Sequence, residues 1–147
     1  MYKKVIDENN IVLQAEFDNK WDAIRACGKI LVEQGYVSEE YVEDMIEREK
    51  VATVYIGNLL ALPHGVANSE NHIYYSGISF IQVPKGVSFG EDTAYLMVGI
   101  AGKDGTHIEI LSNIALACCE LDTVELLRNT KDKRTIIDIF SKINEVS

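Results

Sequence analysis

The sequence feature that most restricts the fold is an almost unbroken apolar run from Ala94 to Ala101. A strand with one face in water alternates apolar and polar residues, whereas a strand covered on both faces is apolar throughout. The run therefore predicts a central strand. Ile73 to Val83 is rich in β-branched and aromatic residues and predicts another strand. Gly86 to Asp92 is predicted to be the loop between the two.

Two amphipathic helices are predicted before these strands. The first has apolar residues at helical spacing between Asp18, the predicted N-cap, and Gly35, the predicted C-terminal stop. The second begins at Ser38 and ends in the basic residues Arg48 and Lys50. Both helices have an apolar face that must pack against the sheet.

Two short strands, Val54 to Ile56 and Leu59 to Leu62, follow the second helix. Gly57 and Asn58 separate them, and a glycine-containing turn of this length is consistent with a tight hairpin.

The last third of the chain is predicted to be helical. Thr106 and Glu109 have the spacing of a capping box and would begin a helix that runs through Cys119, with His107 in its first turn. Asp122 is the predicted cap of a short helix. The buried stripe of a final helix is formed by Ile136, Ile137, Phe140 and Ile143.

Helices and strands interleave without internal repeats, which predicts an α/β fold, a three-layer α/β/α sandwich with a mixed sheet between helical layers. A chain of 147 residues can bury a substantial core without disulfides or metals, so we expect one domain over residues 1–147.

Charge and composition exclude several classes of partner. The formal net charge of −9 opposes binding to nucleic acid and to anionic membranes. The N-terminus has no apolar signal region and no run reaches transmembrane length, so we expect a cytoplasmic protein without direct membrane insertion. Cys27, Cys118 and Cys119 lack CxxC spacing and lie in apolar helical patterns, which predicts buried thiols rather than disulfides or a zinc cluster.

His64 is the strongest candidate for chemistry. Pro63 constrains the backbone before it, and Gly65 leaves room for another molecule beside the imidazole. A nucleophile needs such a fixed ring and such space, whereas a histidine used for packing needs neither.

His107 and Arg48 are the next candidates. At a helix N-terminus His107 would lie beside free N–H groups that attract an anion, and the helix dipole would disfavour the imidazolium unless a phosphoryl group were bound. Arg48 is either a cation at a helix C-terminus or a bidentate phosphate ligand. Lys50 is interpreted as a helix-end cation and His72 as a solvated loop residue.

The motifs of several enzyme classes are absent from the sequence: GxxxxGK[ST], GxGxxG, HExxH and GxSxG. A metal-dependent hydrolase that uses His64 and His107 with Asp104 or Glu109 stays an alternative, although no ligand pair has a characteristic spacing.

The sequence resembles the enzyme IIA components of the mannitol and fructose branch of the bacterial phosphoenolpyruvate-dependent sugar phosphotransferase system. In the active-site region the matching positions are Arg48, Glu49, Lys50, Thr53, Tyr55, Gly57 and Ala61 to Gly65. Downstream they are Gly77, Ile78, Gln82 to Phe89, Leu96 to Ala101, His107 and Ile110 to Ser112. The resemblance covers essentially the whole chain.

The resemblance implies a phosphoryl carrier with a mixed five-stranded sheet, and because the chain begins and ends with this one domain, we expect a free-standing enzyme IIA. His64 would accept the phosphoryl group from HPr, the phosphocarrier protein of the system, and pass it to a cysteine of enzyme IIB. His107 and Arg48 would assist, without a metal or other cofactor. The Arg48 run and His107 look more like the mannitol type than the fructose type, although Val66 stands where mannitol members often have threonine. A regulatory protein of the nitrogen-related enzyme IIA branch is the alternative.

Overall fold

The computed structural model describes residues 3–141, which form five α-helices and a five-stranded sheet. The helices are α1 (Lys20–Glu33), α2 (Glu40–Val51), α3 (His107–Ala117), α4 (Leu121–Asn129) and α5 (Lys133–Ile139). The strands are β1 (Ile11–Val12), β2 (Tyr55–Gly57), β3 (Leu60–Ala61), β4 (Gly77–Phe89) and β5 (Asp92–Ala101).

The strand order is β1-β4-β5-β3-β2. β1 pairs with β4 and β3 with β5 in parallel, whereas β4 with β5 and β2 with β3 are antiparallel. The sheet is therefore mixed, and β5 is its middle strand. This confirms the central strand that the apolar run predicts.

Two hydrophobic clusters cover the two faces of the sheet. Side chains alternate along β5, so that Met97 and Ala101 belong to the cluster beneath α1 and α2. Leu96, Val98 and Ile100 belong to the cluster beneath α3, α4 and α5. The predicted three-layer α/β/α sandwich is confirmed, and burial on both faces explains why this strand carries no polar side chain from Leu96 onward.

The predicted loop from Gly86 to Asp92 is wrong. β4 starts at Gly77, later than predicted, and continues to Phe89, so only two residues reverse the chain before β5. Pro84 and Gly86, which favour a turn, lie between Gln82 and Val87, where the pairing of β4 with β5 shifts register. They do not end the strand. An irregularity in the ladder accommodates proline and positive-φ glycine, which are otherwise disfavoured inside strands.

β2 and β3 pair antiparallel, which confirms the predicted hairpin, but its turn lies one residue later than predicted, because Gly57 is paired with Leu60 at the end of β2. Asn58 and Leu59 both have positive φ, as a type I′ hairpin turn requires.

Helix starts are less well predicted. Asn19, not Asp18, is the N-cap of α1, and its side chain accepts a 2.9 Å hydrogen bond from the Asp22 amide. α4 begins at Leu121, so Asp122 lies inside the helix and does not cap it. At α1 two good capping residues, Asp18 and Asn19, are adjacent, so propensity does not decide between them, and Glu120, the N-cap of α4, makes no side-chain cap bond.

The last helix and the cysteines follow the predictions in part. Ile136 and Phe140 are buried and Ile137 partly buried, while Ile143 lies outside the described residues. Cys27 and Cys118 are buried free thiols. Cys119 is exposed, because it lies beyond the end of α3 on the solvent side, and its predicted burial is wrong.

Between residues 3 and 141, no helix is both long and apolar enough to cross a membrane.

Candidate active site

Two histidines follow the adjacent ends of parallel strands. After β3 the chain continues beside β5, where the Ile100 amide donates a 2.8 Å hydrogen bond to the Pro63 carbonyl and His64 pairs with Ile100. β5 ends at Ala101, and a short turn leads from it to His107 at the start of α3. The carboxyl ends of parallel strands in α/β proteins are a usual place for ligand sites.

The His64 ring is fixed by its own backbone. Its Nδ1 atom lies 2.7 Å from the Leu62 carbonyl oxygen. A carbonyl oxygen only accepts hydrogen bonds, so Nδ1 carries the proton and donates it to Leu62. In the neutral ring this leaves the lone pair on Nε2.

Burial lowers the pKa of His64 below its ordinary value of 6.5. The Leu62 carbonyl opposes this shift by accepting from the ring, while the electrostatic influence of the Arg48 guanidinium and of the nearby His107 adds to it. The pKa change therefore favours a neutral, nucleophilic imidazole at pH 7.

One pocket of about 540 Å³ is lined by the three residues singled out from the sequence, Arg48, His64 and His107. The remaining lining residues are Tyr41, Gly65, Val66, Ala67, Asn68, Ser69, Glu70, Ile73 and Gly102. The pocket thus combines a nucleophilic ring with a permanent cation and a second imidazole.

Arg48 lies near the C-terminus of α2, where its Nη1 donates a 2.6 Å hydrogen bond to the Ala52 carbonyl. The bond has the role expected of a cation at a helix end. The bond uses one of the five N–H groups of the guanidinium. The remaining N–H groups include a planar pair of donors for an anion. Lys50 forms an exposed ion pair with Glu47, at 3.1 Å, and is not part of the pocket.

His107 is the first residue of α3, but the capping box predicted before it is wrong. Thr106 has helical backbone angles and makes no side-chain cap bond. Its hydroxyl donates to the Lys103 carbonyl at 2.8 Å and lies 2.8 Å from the Ser76 hydroxyl. The turn that carries His107 is thus held to the segment before β4 instead of being capped. Gly102 is required here, because a Cβ would collide with the His107 backbone.

The space beside Gly65 has a different use from the one expected. A Cβ at this position would collide with the Ser69 hydroxyl and the Tyr41 ring. The glycine therefore allows close packing within the protein, and the predicted room for another molecule at this atom is wrong. Its amide donates a 2.9 Å hydrogen bond to the Tyr41 hydroxyl.

His72 contacts the Asp44 carboxylate, so its interpretation as a solvated loop residue is wrong. Its Nδ1 lies 2.6 Å from Asp44 Oδ2, and both side chains are partly buried. The Asp44 carbonyl also accepts a 3.2 Å hydrogen bond from the Val66 amide. Asp44 thus holds the Val66 backbone of the pocket wall and, through its side chain, His72 outside the pocket.

Sequence reasoning missed Tyr41 and Asp44. The signal that could have found them is their spacing with Arg48, because residues at i, i+3 and i+7 of a helix lie on one face.

Glu49 was also missed as a buried charge. It is 5% exposed, and its carboxylate accepts from Lys20 Nζ at 2.9 Å and from the Val54 amide at 2.7 Å. It fixes the end of α2 and the start of the hairpin that leads to His64.

Among residues 3–141, no group of three or more His, Cys, Asp or Glu side chains could hold a metal ion. What the site offers is a neutral ring nitrogen, a guanidinium and the N-terminus of an eleven-residue helix. An arrangement of this kind has the groups needed to bind an anion and to transfer a group from it to a nucleophile.

Comparison with known proteins defines the class. Residues 4–143 match the family described as phosphoenolpyruvate-dependent sugar phosphotransferase system, EIIA 2. Fold and family together make the chain a phosphotransferase component. The chain belongs to the EIIA 2 family.

Relatives match over nearly their whole length. The mannitol-specific phosphotransferase enzyme IIA component of Geobacillus stearothermophilus is 42% identical over 145 residues, which cover 98% of this chain and 100% of the relative. The Bacillus subtilis protein of the same description is 41% identical over 96% of this chain and 99% of its own.

A solved structure shares the fold. Enzyme IIAMTL of Escherichia coli, determined in complex with phosphorylated enzyme IIBMTL, superposes with a TM-score of 0.89 at 32% identity, covering 97% of this chain and 99% of the other.

Proposed function

We propose that the chain is a phosphoryl carrier for mannitol uptake, which acts in the cytoplasm. It accepts a phosphoryl group from HPr on His64 and passes it to a cysteine of enzyme IIB. The observation that carries the proposal is the bond from His64 Nδ1 to Leu62, because it directs the free lone pair to Nε2 in a pocket shared with Arg48 and His107.

Each transfer is a displacement at phosphorus without a change of oxidation state. His64 Nε2 attacks the phosphoryl group carried by HPr, a new N–P bond forms, and the donor atom of HPr leaves with its electron pair. The proton on Nδ1 stays with the Leu62 bond. In the second transfer the IIB thiolate attacks phosphorus, and the N–P bond breaks to return a neutral ring.

Arg48 and His107 stabilise the charge that develops during both transfers. Phosphoryl transfer has a loose transition state with negative charge on the equatorial oxygens, so catalysis consists mainly of positioning and electrostatic stabilisation. The unused guanidinium N–H groups and the free amides at the start of α3 are donors for those oxygens.

Mannitol as the sugar and enzyme IIB as the acceptor rest on the relatives. Two proteins above 40% identity are described as mannitol-specific, and the Escherichia coli structure pairs its enzyme IIA with phosphorylated IIB. The HPr donor rests on the family resemblance.

Val66 stands where mannitol members often have threonine. Its contact with Asp44 is made by the backbone amide, so this contact does not need the threonine hydroxyl.

The test is reconstitution with phosphoenolpyruvate, enzyme I and HPr, followed by intact mass spectrometry. The protein should gain one acid-labile phosphoryl group, and His64→Ala should gain none. His72→Ala is the matched histidine control and should still be phosphorylated. Phosphorylation of His64→Ala to the parent level contradicts the proposal.

The second half of the test adds mannitol-type and fructose-type IIB proteins to the phosphorylated chain. Phosphate should pass to the cysteine of mannitol-type IIB faster than to the fructose type. Stable phosphorylation with no transfer to either IIB protein contradicts the carrier role and favours a regulatory one.

A further inference from the structure

Helix α2 presents one face to the segment that contains His64. Tyr41 and Asp44 hold the amides of the two residues that follow His64, and Arg48 lines the pocket about two helical turns from Tyr41. The helix that supplies the cation therefore also holds the backbone of the nucleophile.

The Tyr41 hydroxyl closes a set of hydrogen bonds around His64. It accepts from the Gly65 amide at 2.9 Å and donates to the Ile100 carbonyl at 2.7 Å. The Ile100 amide in turn donates to the Pro63 carbonyl at 2.8 Å. The backbone before His64 is thus bound to Ile100 directly, and the backbone after it is bound to Ile100 through Tyr41.

Tyr41 has no proton to offer a phosphoryl group. Its hydroxyl hydrogen is committed to the Ile100 carbonyl, and the residue is 2% exposed. Burial raises the pKa of Tyr41 well above its ordinary value of 10.0, so the hydroxyl is not a proton source or sink near neutral pH. The structure therefore leaves Tyr41 a role in holding the backbone around His64 in place, not in proton transfer.

We propose that Tyr41 is a positioning residue for phosphoryl transfer, which fixes the His64 backbone relative to central strand β5 and to the helix that carries Arg48. This inference rests on the proposed function, since it concerns the transfer step at His64. The reason for an effect on rate is that a displacement of about 1 Å at a reacting group can slow a reaction about 100-fold.

The test variant is Tyr41→Phe. It keeps the ring that packs against Gly65 and removes both hydrogen bonds of the hydroxyl. The matched control is Tyr36→Phe. Tyr36 is 1% exposed, donates to the Lys4 carbonyl at 2.7 Å and accepts from Asn10 at 3.0 Å, but it does not line the pocket.

The measurement is single-turnover transfer from phosphorylated HPr at a series of HPr concentrations, with thermal unfolding recorded for each variant. Tyr41→Phe should lower the maximal rate by about 10- to 100-fold with an unchanged half-saturating concentration. Tyr36→Phe should lose thermal stability and keep the parent rate.

Three results overturn the inference. The first is a parent-like rate in Tyr41→Phe. The second is a raised half-saturating concentration at an unchanged maximal rate, which assigns Tyr41 to HPr docking. The third is an equal loss of rate in Tyr36→Phe, which assigns the effect to general destabilisation. Failure of the parent to accept phosphate contradicts the proposed function instead, so the two failures are distinct.

A measurement on the parent protein covers the case in which Tyr41→Phe does not fold. Hydrogen exchange followed by NMR should find the Gly65 amide protected, because it is bound to a buried hydroxyl. Exchange of this amide at the rate of an unstructured peptide contradicts the positioning role.

Discussion

Nδ1 of His64 lies 2.7 Å from the carbonyl oxygen of Leu62, a residue only two positions earlier in the chain. The bond is local, so it forms wherever the Pro63 segment takes this conformation. It therefore leaves Nε2 as the ring nitrogen with a free lone pair before any partner arrives.

We expect phosphorylation on Nε2. The Nδ1–H group is engaged with Leu62, and attack through Nδ1 would require that bond to break. NMR of protein labelled with ¹⁵N-histidine should show coupling between phosphorus and Nε2, with Nδ1 still protonated. Coupling of phosphorus to Nδ1 contradicts the assignment.

The rate of phosphoryl acceptance should fall only when the pH drops below the ordinary histidine pKa of 6.5. Burial lowers the pKa of His64, so the ring stays neutral and nucleophilic through pH 7 and somewhat below 6.5. Single-turnover rates across this range, together with an NMR titration of the ring, check the expectation. A loss of rate centred well above pH 6.5 contradicts it.

The same shift predicts a pH dependence of stability. In the unfolded chain His64 gains its proton near pH 6.5, whereas in the folded chain it does so at lower pH. Between these values the unfolded state binds more protons, so the free energy of unfolding falls as the pH falls through 6.5. Urea unfolding at several pH values should show a weaker dependence in His64→Ala than in the parent. An equal dependence in both proteins excludes His64 as the source.

Arg48→Ala should lower the maximal rate of transfer by about 100-fold, because one preorganised donor to the transition state is lost. Lys50→Ala is the matched control. It removes a nearby positive charge that is paired with Glu47 outside the pocket, and it should keep the parent rate. Equal losses in both variants would show that only the general positive charge near the end of α2 matters.

His107→Ala should keep a phosphorylatable His64 but slow transfer by about 10- to 100-fold. The start of α3 survives in the variant, while the ring donor to a charged oxygen is lost. Glu109→Ala changes an exposed residue in the same helical turn and serves as the control. Parent-like rates for His107→Ala in both directions of transfer would assign His107 a structural role.

Glu49→Ala should lower the free energy of unfolding by about 2–4 kcal/mol, because it leaves the Val54 amide and the partly exposed Lys20 ammonium without their carboxylate. Glu47→Ala breaks the exposed pair with Lys50 and should cost less than about 1 kcal/mol. Urea unfolding compares the two variants. An equal loss of unfolding free energy in the two variants would show that burial of the Glu49 carboxylate does not increase its contribution to stability.

The layers and the central strand could be predicted because they follow from local patterns. The apolar run from Ala94 and the helical spacing of α1 report burial, and burial determines which faces meet. The course of β4 could not be read in this way. Pro84 and Gly86 indicate a turn locally, but pairing with β5 on both sides of the irregularity keeps the strand going to Phe89.

Some of the pocket residues could also be predicted, because local sequence patterns mark them. His64 is marked by its neighbours Pro63 and Gly65, whereas the roles of Tyr41 and Asp44 depend on contacts with residues distant in sequence. Tyr41 reads as an ordinary core residue of α2, and its burial is indeed that of the core. Its spacing with Arg48 could have placed Tyr41 on the face of α2 that meets the pocket. The hydrogen bond between its hydroxyl and the Gly65 amide, however, is visible only in the structure.

The attachment of both histidines to neighbouring parallel strands has a consequence for how such a protein can diverge. The spacing between the two supports is the interstrand distance of a sheet, about 4.8 Å, which side-chain changes elsewhere hardly alter. Surface loops that carry neither histidine nor the residues packed against them can therefore accumulate substitutions that suit new partners while the two histidines keep their separation. Recognition and chemistry are in this way free to evolve at different rates on the same scaffold.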